Sequence, residues 1–277
     1  MRIGGRNDNF VNQNDKCMAE WQLIASPTSW RELQDEVGLI LSDCGYNTEI
    51  EKEISLGRGK SVVDVYARRS CGIPTTIICE CKHWNKKVPR SVVQGFRTII
   101  LESGANLGYI ISAKGFQSGS YEVATKTNIH LLSWAEFQEA FRTDWLKNMI
   151  GKIQRAGSEL RSFIMYINTK GAGIDGKSAQ LEQIRVQHED WIFFSLRDHY
   201  TNFNTTEISW KETINTIENR AARYLPLKPE FLRDYFQAIY DHLHEEIGKI
   251  EALYDGRLKW DPDKMLPGIE YKLLGHY

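Results

Sequence analysis

No uncharged apolar run in the 277 residues reaches the roughly 18 needed for a membrane-spanning helix. The opening MRIGGRNDNFVNQNDK has no apolar stretch after its Met-Arg start, so neither a membrane span nor a secretion signal is expected. Cysteine is sparse: Cys17, Cys44, Cys71, Cys79 and Cys81 are odd in number, and none stands in C-x-x-C spacing. That pattern argues against a disulfide framework and a structural zinc site, and a reducing, cytoplasmic setting follows. No repeat of fixed period and no low-complexity segment is found. What remains is a 42% hydrophobic, 26% charged chain with enough apolar residues for one large domain or two smaller ones.

Net charge is nearly absent as well, at −1, but the average conceals a local field. Between Gly57 and Arg97 the basic residues are Arg58, Lys60, Arg68, Arg69, Lys82, Lys86, Lys87, Arg90 and Arg97, against only two acids, Asp64 and Glu80. Charge runs are usually solvated surface. This one also fits a phosphate-facing surface around a small acidic centre, with Lys60, Lys86, Lys87 and Arg90 as candidate DNA contacts.

The order of elements reads as α/β followed by all-α. SWRELQDEVGLILSDC, Ser29 to Cys44, places Trp30, Leu33, Val37, Ile40 and Leu41 at helical spacing, with Ser29 as cap and Gly45 as stop. NTEIEKEISL, KSVVDVYARR and TTIICECK alternate like strands separated by glycine-containing turns, which predicts an antiparallel meander. A helix from about Pro89 to Glu102, a strand LGYIISA, a short helix near Tyr121 to Lys126 and a strand IHLLS complete a mixed sheet flanked by helices. Beyond Trp134 strand signals nearly vanish. Leu146, Ile150, Ile153, Ala156, Leu160, Phe163 and Ile167 predict one long helix, with more helix over Ala179–Tyr200, Ser209–Tyr224 and about Pro229–Tyr254. The reading divides the chain into a tail over 1–20, an α/β domain over 21–143 and a helical domain over 144–277.

The third strand poses the chemical question. In a strand with period two, Ile78, Glu80 and Lys82 share one face while Ile77, Cys79 and Cys81 share the other, so a core face ends in a carboxylate and an ammonium. Hairpin pairing can bring Asp64 to the same end as Glu80. Two carboxylates with open positions beside them can hold Mg²⁺, with Mn²⁺ as a substitute. Such a metal polarises a phosphoryl oxygen and lowers the pKa of water, and a neighbouring ammonium orients that water or stabilises developing charge. A plain strand-end ion pair between Glu80 and Lys82 would show the same letters. His83 points away from Lys82 and reads as structural or surface, and Cys79 and Cys81 as core.

Asp64, the ECK of Glu80 to Lys82, Gln94 in SVVQGFRTII, and LGYIISAKGFQSGSYEVA together resemble the PD-(D/E)xK nuclease superfamily, Mrr-like restriction endonuclease branch. The resemblance covers roughly Trp30 to Phe141. It implies a restriction-endonuclease-like fold and metal-dependent endonuclease activity on DNA, in which Asp64 and Glu80 bind metal, Lys82 assists catalysis and Gln94 supports the site. A further acid often comes from the first helix, where Glu32 and Glu36 are both available and Glu36 is ranked ahead. Val63 stands where the pattern has proline. In the loop after the fourth strand, Ser112 and Lys114 are candidate phosphate contacts or an ordinary polar loop.

A second motif competes. GAGIDGKS, Gly171 to Ser178, matches G-x-x-x-x-G-K-[ST], in which Lys177 would reach phosphates and Ser178 a magnesium ion. The motif works between a strand and a helix, and neither a convincing preceding strand nor a later strand ending in aspartate is present, so a glycine-rich turn between helices is the competing reading. The helical half offers no chemistry: His188, His199, His242 and His244 are scattered, and its aromatics suit a core or a dimer interface. The expectation is a Mg²⁺-dependent DNA endonuclease acting in defence against foreign DNA, as a homodimer or larger oligomer, with the helical half contacting a partner or sensing a signal. The alternatives are an inactive DNA-binding or assembly module, and a nucleotide-regulated nuclease.

Overall fold

A computed structural model describes residues 22–57, 59–170 and 231–253. Helix α1 (Trp30–Asp43) begins where the Ser29 hydroxyl accepts from the Glu32 amide at 3.1 Å, as its cap position predicts. Strands β1 (Asn47–Leu56), β2 (Gly59–Arg69) and β3 (Thr75–Lys82) form the expected antiparallel meander. Helix α2 (Arg90–Ser103) then carries the chain to β4 (Leu107–Ser112), and helix α3 (Ser118–Ala124) to β5 (Ile129–Leu132), both added in parallel. The result is a mixed five-stranded sheet in the order β1-β2-β3-β4-β5. Each parallel step is spanned by a helix because parallel strands require a crossover.

Two faces of the sheet are covered by different helices. Beneath α2, Phe96 and Ile100 join Ile78, Ile110, Val93 and Val123 in one buried cluster. On the other face Tyr109 meets Phe137 and Phe141 edge-on, from the first turns of helix α4 (Trp134–Lys170), and the Cys44 thiol at the end of α1 donates to the Phe141 carbonyl. Gly108 lets α2 approach β4: a Cβ there would lie 2.8 Å from Ile100 Cδ1 and from Phe96 Cε1. Gly108→Ala is therefore expected to destabilise the protein by about 1–3 kcal/mol, read as a lower urea midpoint with unchanged slope.

The hairpin of β1 and β2 changes sides partway along. Ile50 and Val65, paired with each other, lie against Gly38 of α1, whereas Ile54 and Val63 belong to the cluster beneath α2. Between the pairs Ile50–Val65 and Lys52–Val63 stand Glu51 and Asp64, and Glu51 has φ +50°, in the left-handed region that a non-glycine residue seldom adopts. Asp64 thus occupies the step at which the strand rolls from one face toward the other.

Two boundaries depart from the sequence expectation. The short helix begins at Ser118, three residues before Tyr121, because its first turn needs no bulky anchor. Ser120 is buried there, and its hydroxyl donates to the Val88 carbonyl at 2.8 Å. The long helix begins at Trp134, twelve residues before Leu146, behind a capping box. Both the amide and the hydroxyl of Ser133 donate to Glu136 at 2.7 Å, and the Glu136 amide donates back to the Ser133 hydroxyl. Those bonds, the backbone one foremost, hold the Glu136 carboxyl below its usual range. A lowered folded pKa adds stability above the ordinary carboxylate range and loses it as pH falls through the lowered value. Ser133→Ala is expected to cost about 1 kcal/mol near neutral pH, with the difference from wild type shrinking in acid-unfolding curves as Glu136 protonates.

The chain divides into two compact units at Thr143–Asp144. In the second, Trp145 is fully buried and meets Phe236 of helix α5 (Leu232–Leu253) edge-on, so the described aromatics there build core. The Gly171–Ser178 motif, His188, His199 and the helices expected over Ala179–Tyr200 and Ser209–Tyr224 lie outside the described residues. No helix among the described residues is long and apolar enough to cross a membrane.

Candidate active site

The pairing of β2 with β3 runs from Arg69–Thr75 to Val65–Cys79 and stops there. One step further the strands part, and the Asp64 carboxylate takes the place of a backbone acceptor: Oδ2 accepts from the Cys81 amide at 2.6 Å. Parting the strands opens a notch at the end of β3. Into it project Glu80 and Lys82, on the face that Ile78 buries further along the strand.

Lys82 ties the notch together. Its ammonium pairs with Glu80 Oε1 and lies 3.8 Å from Asp64 Oδ2, while the indole of Trp84 stands 5.4 Å from it, centroid to nitrogen. The side chains of Lys82, Glu80 and Asp64 are 14%, 19% and 22% exposed, so the cluster is largely desolvated yet open on one side. Burial, and secondarily the Asp64 charge, push the Glu80 carboxyl above its ordinary value, and Lys82 opposes the shift. The thiols of Cys79 and Cys81 are pushed up by burial, which leaves them protonated packing groups and not nucleophiles.

The other expected residues fall at varying distances from this centre. Glu32 is committed to the start of α1, where its carboxylate accepts from the Thr28 hydroxyl at 2.6 Å and the Thr28 amide at 2.7 Å. Those bonds hold its carboxyl below the usual range. Glu36 is half-buried, with one carboxylate oxygen shielded from solvent, on a helix whose Leu33, Val37 and Ile40 are core. Gln94 is on the exposed side of α2 and makes no hydrogen bond to Asp64, Glu80 or Lys82. The structure does not bring it into the cluster, because Val93 and Phe96, its neighbours in the turn, take the buried side.

Ser112, read as a phosphate contact or part of an ordinary polar loop, is buried. It pairs with Lys82 in the β3–β4 register but is 1% exposed, and its hydroxyl donates to the Gly115 carbonyl at 3.0 Å. That bond, with φ +74° at Gly115, shapes the loop. Lys114 at the loop apex is exposed, as are Lys86, Lys87 and Arg90. Lys60 lies at the β1–β2 turn in an ion pair with Glu53 at 2.6 Å, and Arg90 lies 3.7 Å from Glu122. His83 is half-buried with its ring Nε2 3.2 Å from the Pro27 carbonyl, as a structural residue would be. Trp84 was not singled out by the sequence reading; its signal was an aromatic two residues after a candidate catalytic lysine.

A mixed sheet flanked by helices thus holds an aspartate and an E-x-K pair together at a strand end. Residues 26–141 match the Mrr_cat family model, restriction endonuclease. The matched stretch takes in every element from α1 to β5 and the whole Asp64–Glu80–Lys82 cluster, so this part of the chain is similar to restriction endonuclease domains. Among solved structures, the protein of unknown function AF1548 aligns at 18% identity and TM-score 0.35 over 39% of this chain and 59% of that one. A repair endonuclease from Pyrococcus abyssi aligns at 14% identity and TM-score 0.27, over 39% of this chain and 48% of that one. The chain thus spans roughly half the length of each. No curated protein matches it.

Proposed function

We propose that the restriction-endonuclease-like domain is a Mg²⁺-dependent endonuclease that hydrolyses DNA phosphodiester bonds at Asp64, Glu80 and Lys82. The observation that carries this reading is the meeting of the three groups in a one-sided notch, with Lys82 bridging both carboxylates.

The donor set fits a small hard cation. Asp64 and Glu80 would supply oxygen ligands, and burial together with the Asp64 charge raises the Glu80 carboxyl while Lys82 opposes the shift, as expected where two carboxylates stand close enough to share a cation. No group of three or more His, Cys, Asp or Glu that could hold a metal ion occurs among the described residues. Two carboxylates suit Mg²⁺, which keeps several waters and takes substrate phosphate oxygens as further ligands, with Mn²⁺ as a substitute. Glu36 is the first-helix acid proposed to join them, since Glu32 is held in its cap. The bound metal would polarise the phosphoryl group and acidify water. Asp64, anchored on the Cys81 amide, and Glu80 fix where the cation sits. Lys82, paired with both carboxylates, would orient the attacking water and stabilise charge on the phosphate.

Lys86, Lys87, Arg90 and Lys114 surround the opening in sequence and supply cationic groups for the DNA backbone, and Lys60 extends them at the hairpin turn. Gln94 would take part only through bound DNA. Cutting both strands requires two such sites, which favours a homodimer. A role in defence against foreign DNA, with the helical half engaging a partner protein or a signal, is consistent with this activity, and the Gly171–Ser178 segment is where nucleotide regulation would act. The test is incubation of supercoiled plasmid, single-stranded DNA and RNA with the protein in Mg²⁺, Mn²⁺ or EDTA. Plasmid cutting that EDTA stops is the expected result. Binding without cutting in either metal would instead identify an inactive DNA-binding module.

A further inference from the structure

Three groups hold the Lys82 ammonium: the Glu80 carboxylate, Asp64 Oδ2 at 3.8 Å, and the face of Trp84 at 5.4 Å. Building on the nuclease reading, we propose that Trp84 is a positioning residue whose ring keeps the Lys82 ammonium at the reacting phosphate once the two carboxylates are engaged by metal.

The reasoning is one of competition. A dication on Asp64 and Glu80 draws on the same oxygens that hold Lys82, and it also repels the ammonium. Both ion pairs weaken at the moment the site becomes active. An indole face attracts a cation through its quadrupole and is no ligand for a hard metal, so the metal does not remove it. Of the three contacts, only the ring survives loading.

Geometry and solvation support the assignment. The 5.4 Å separation lies within the roughly 6 Å over which such contacts are effective. Lys82 is 14% exposed, so little water competes for its charge. Lys86 also approaches the ring, at 5.8 Å, but from an exposed position where hydration weakens the attraction. The segment carrying Trp84 is pinned at both ends. His83 meets the Pro27 carbonyl at 3.2 Å, and the Val88 amide donates to the Gly115 carbonyl at 2.9 Å. The ring is thus presented from fixed backbone.

The test uses the full chain as wild type, Trp84→Phe and Trp84→Leu. The first readout is the ring-current shift of the Lys82 side-chain resonances in ¹³C-lysine-labelled protein, assigned by their loss in Lys82→Arg and recorded in EDTA and then in Mg²⁺. The shift is expected in wild type under both conditions, retained in part in Trp84→Phe and lost in Trp84→Leu. The second readout is cleavage: kcat is expected to fall about tenfold in Trp84→Leu with KM unchanged, and to recover in Trp84→Phe. A wild-type shift that vanishes on adding Mg²⁺, or a Trp84→Leu protein with wild-type kcat, overturns the proposal. So does a change confined to KM, which would make Trp84 a DNA contact. If wild type cuts nothing in either metal, the nuclease reading fails, and the shifts still decide whether the ring holds the ammonium with metal present.

Discussion

Lys82→Ala is expected to lower the rate of DNA cleavage by about a hundredfold to a thousandfold, the usual loss when one preorganised electrostatic group is removed from a reacting centre. The ammonium is mostly desolvated and held within a single notch with Asp64 and Glu80, so nothing in bulk water can replace it at the same place. Lys82→Arg is not expected to rescue the rate, because a planar guanidinium cannot occupy the position of a compact ammonium between two carboxylates and a ring. DNA binding should survive, since the exposed cations Lys86, Lys87, Arg90 and Lys114 are untouched. The same substitution makes an opposite prediction for metal. With its competitor gone, the Asp64–Glu80 pair should bind Mg²⁺ more tightly, measurable by calorimetry. Single-turnover cutting of supercoiled plasmid is the decisive assay, and wild-type rates in Lys82→Ala would remove the lysine from the chemistry.

The second large effect is on stability. A ligand that binds only the folded state raises its stability by about 2.7 kcal/mol at a hundred times its dissociation constant, so saturating Mg²⁺ or Mn²⁺ should raise the thermal midpoint of the wild-type protein. In Asp64→Asn/Glu80→Gln that rise should disappear, together with cleavage, and EDTA should reverse it in wild type. Asparagine is the informative choice at position 64 because its carbonyl oxygen can still accept from the Cys81 amide, as Oδ2 does at 2.6 Å. Alanine there would leave that amide without its acceptor and cost about 1–3 kcal/mol if water cannot reach it. Separating the two variants separates the structural role of Asp64 from its role as a ligand. An undiminished metal-induced rise in the double variant would place the cation elsewhere.

Much of this site was legible in one dimension because strands impose a rigid period. Glu80 and Lys82, two apart, had to share a face, and the apolar Ile78 on that face showed which end was core. Asp64 could be placed near them because a short hairpin leaves few registers. What the pattern could not show is that β2 and β3 stop pairing after Val65–Cys79, or that the β1–β2 hairpin rolls at Glu51 and Asp64. Both depend on which helix covers which part of the sheet. The roles of polar side chains were equally hidden. Ser112, legible only as a phosphate contact or a polar loop residue, bonds within its own loop, while Glu32 and Glu36, one turn apart, diverge because Glu32 reaches back to Thr28.

The sequence by itself determined the elements from α1 to β5 and their order, the cap at Ser29 and the shared face of the E-x-K pair, since each follows from local periodicity or from hydrogen bonds within one turn of the chain. Tertiary structure alone decided that Asp64 meets the Cys81 amide, that Lys82 bridges two carboxylates from different strands, that Gln94 is exposed and makes no hydrogen bond to them, and that Trp84 lies against the ammonium. Those contacts join residues whose spacing carries no period. They exist because packing against α1 and α2 bends one hairpin and splays its end, which no local pattern encodes.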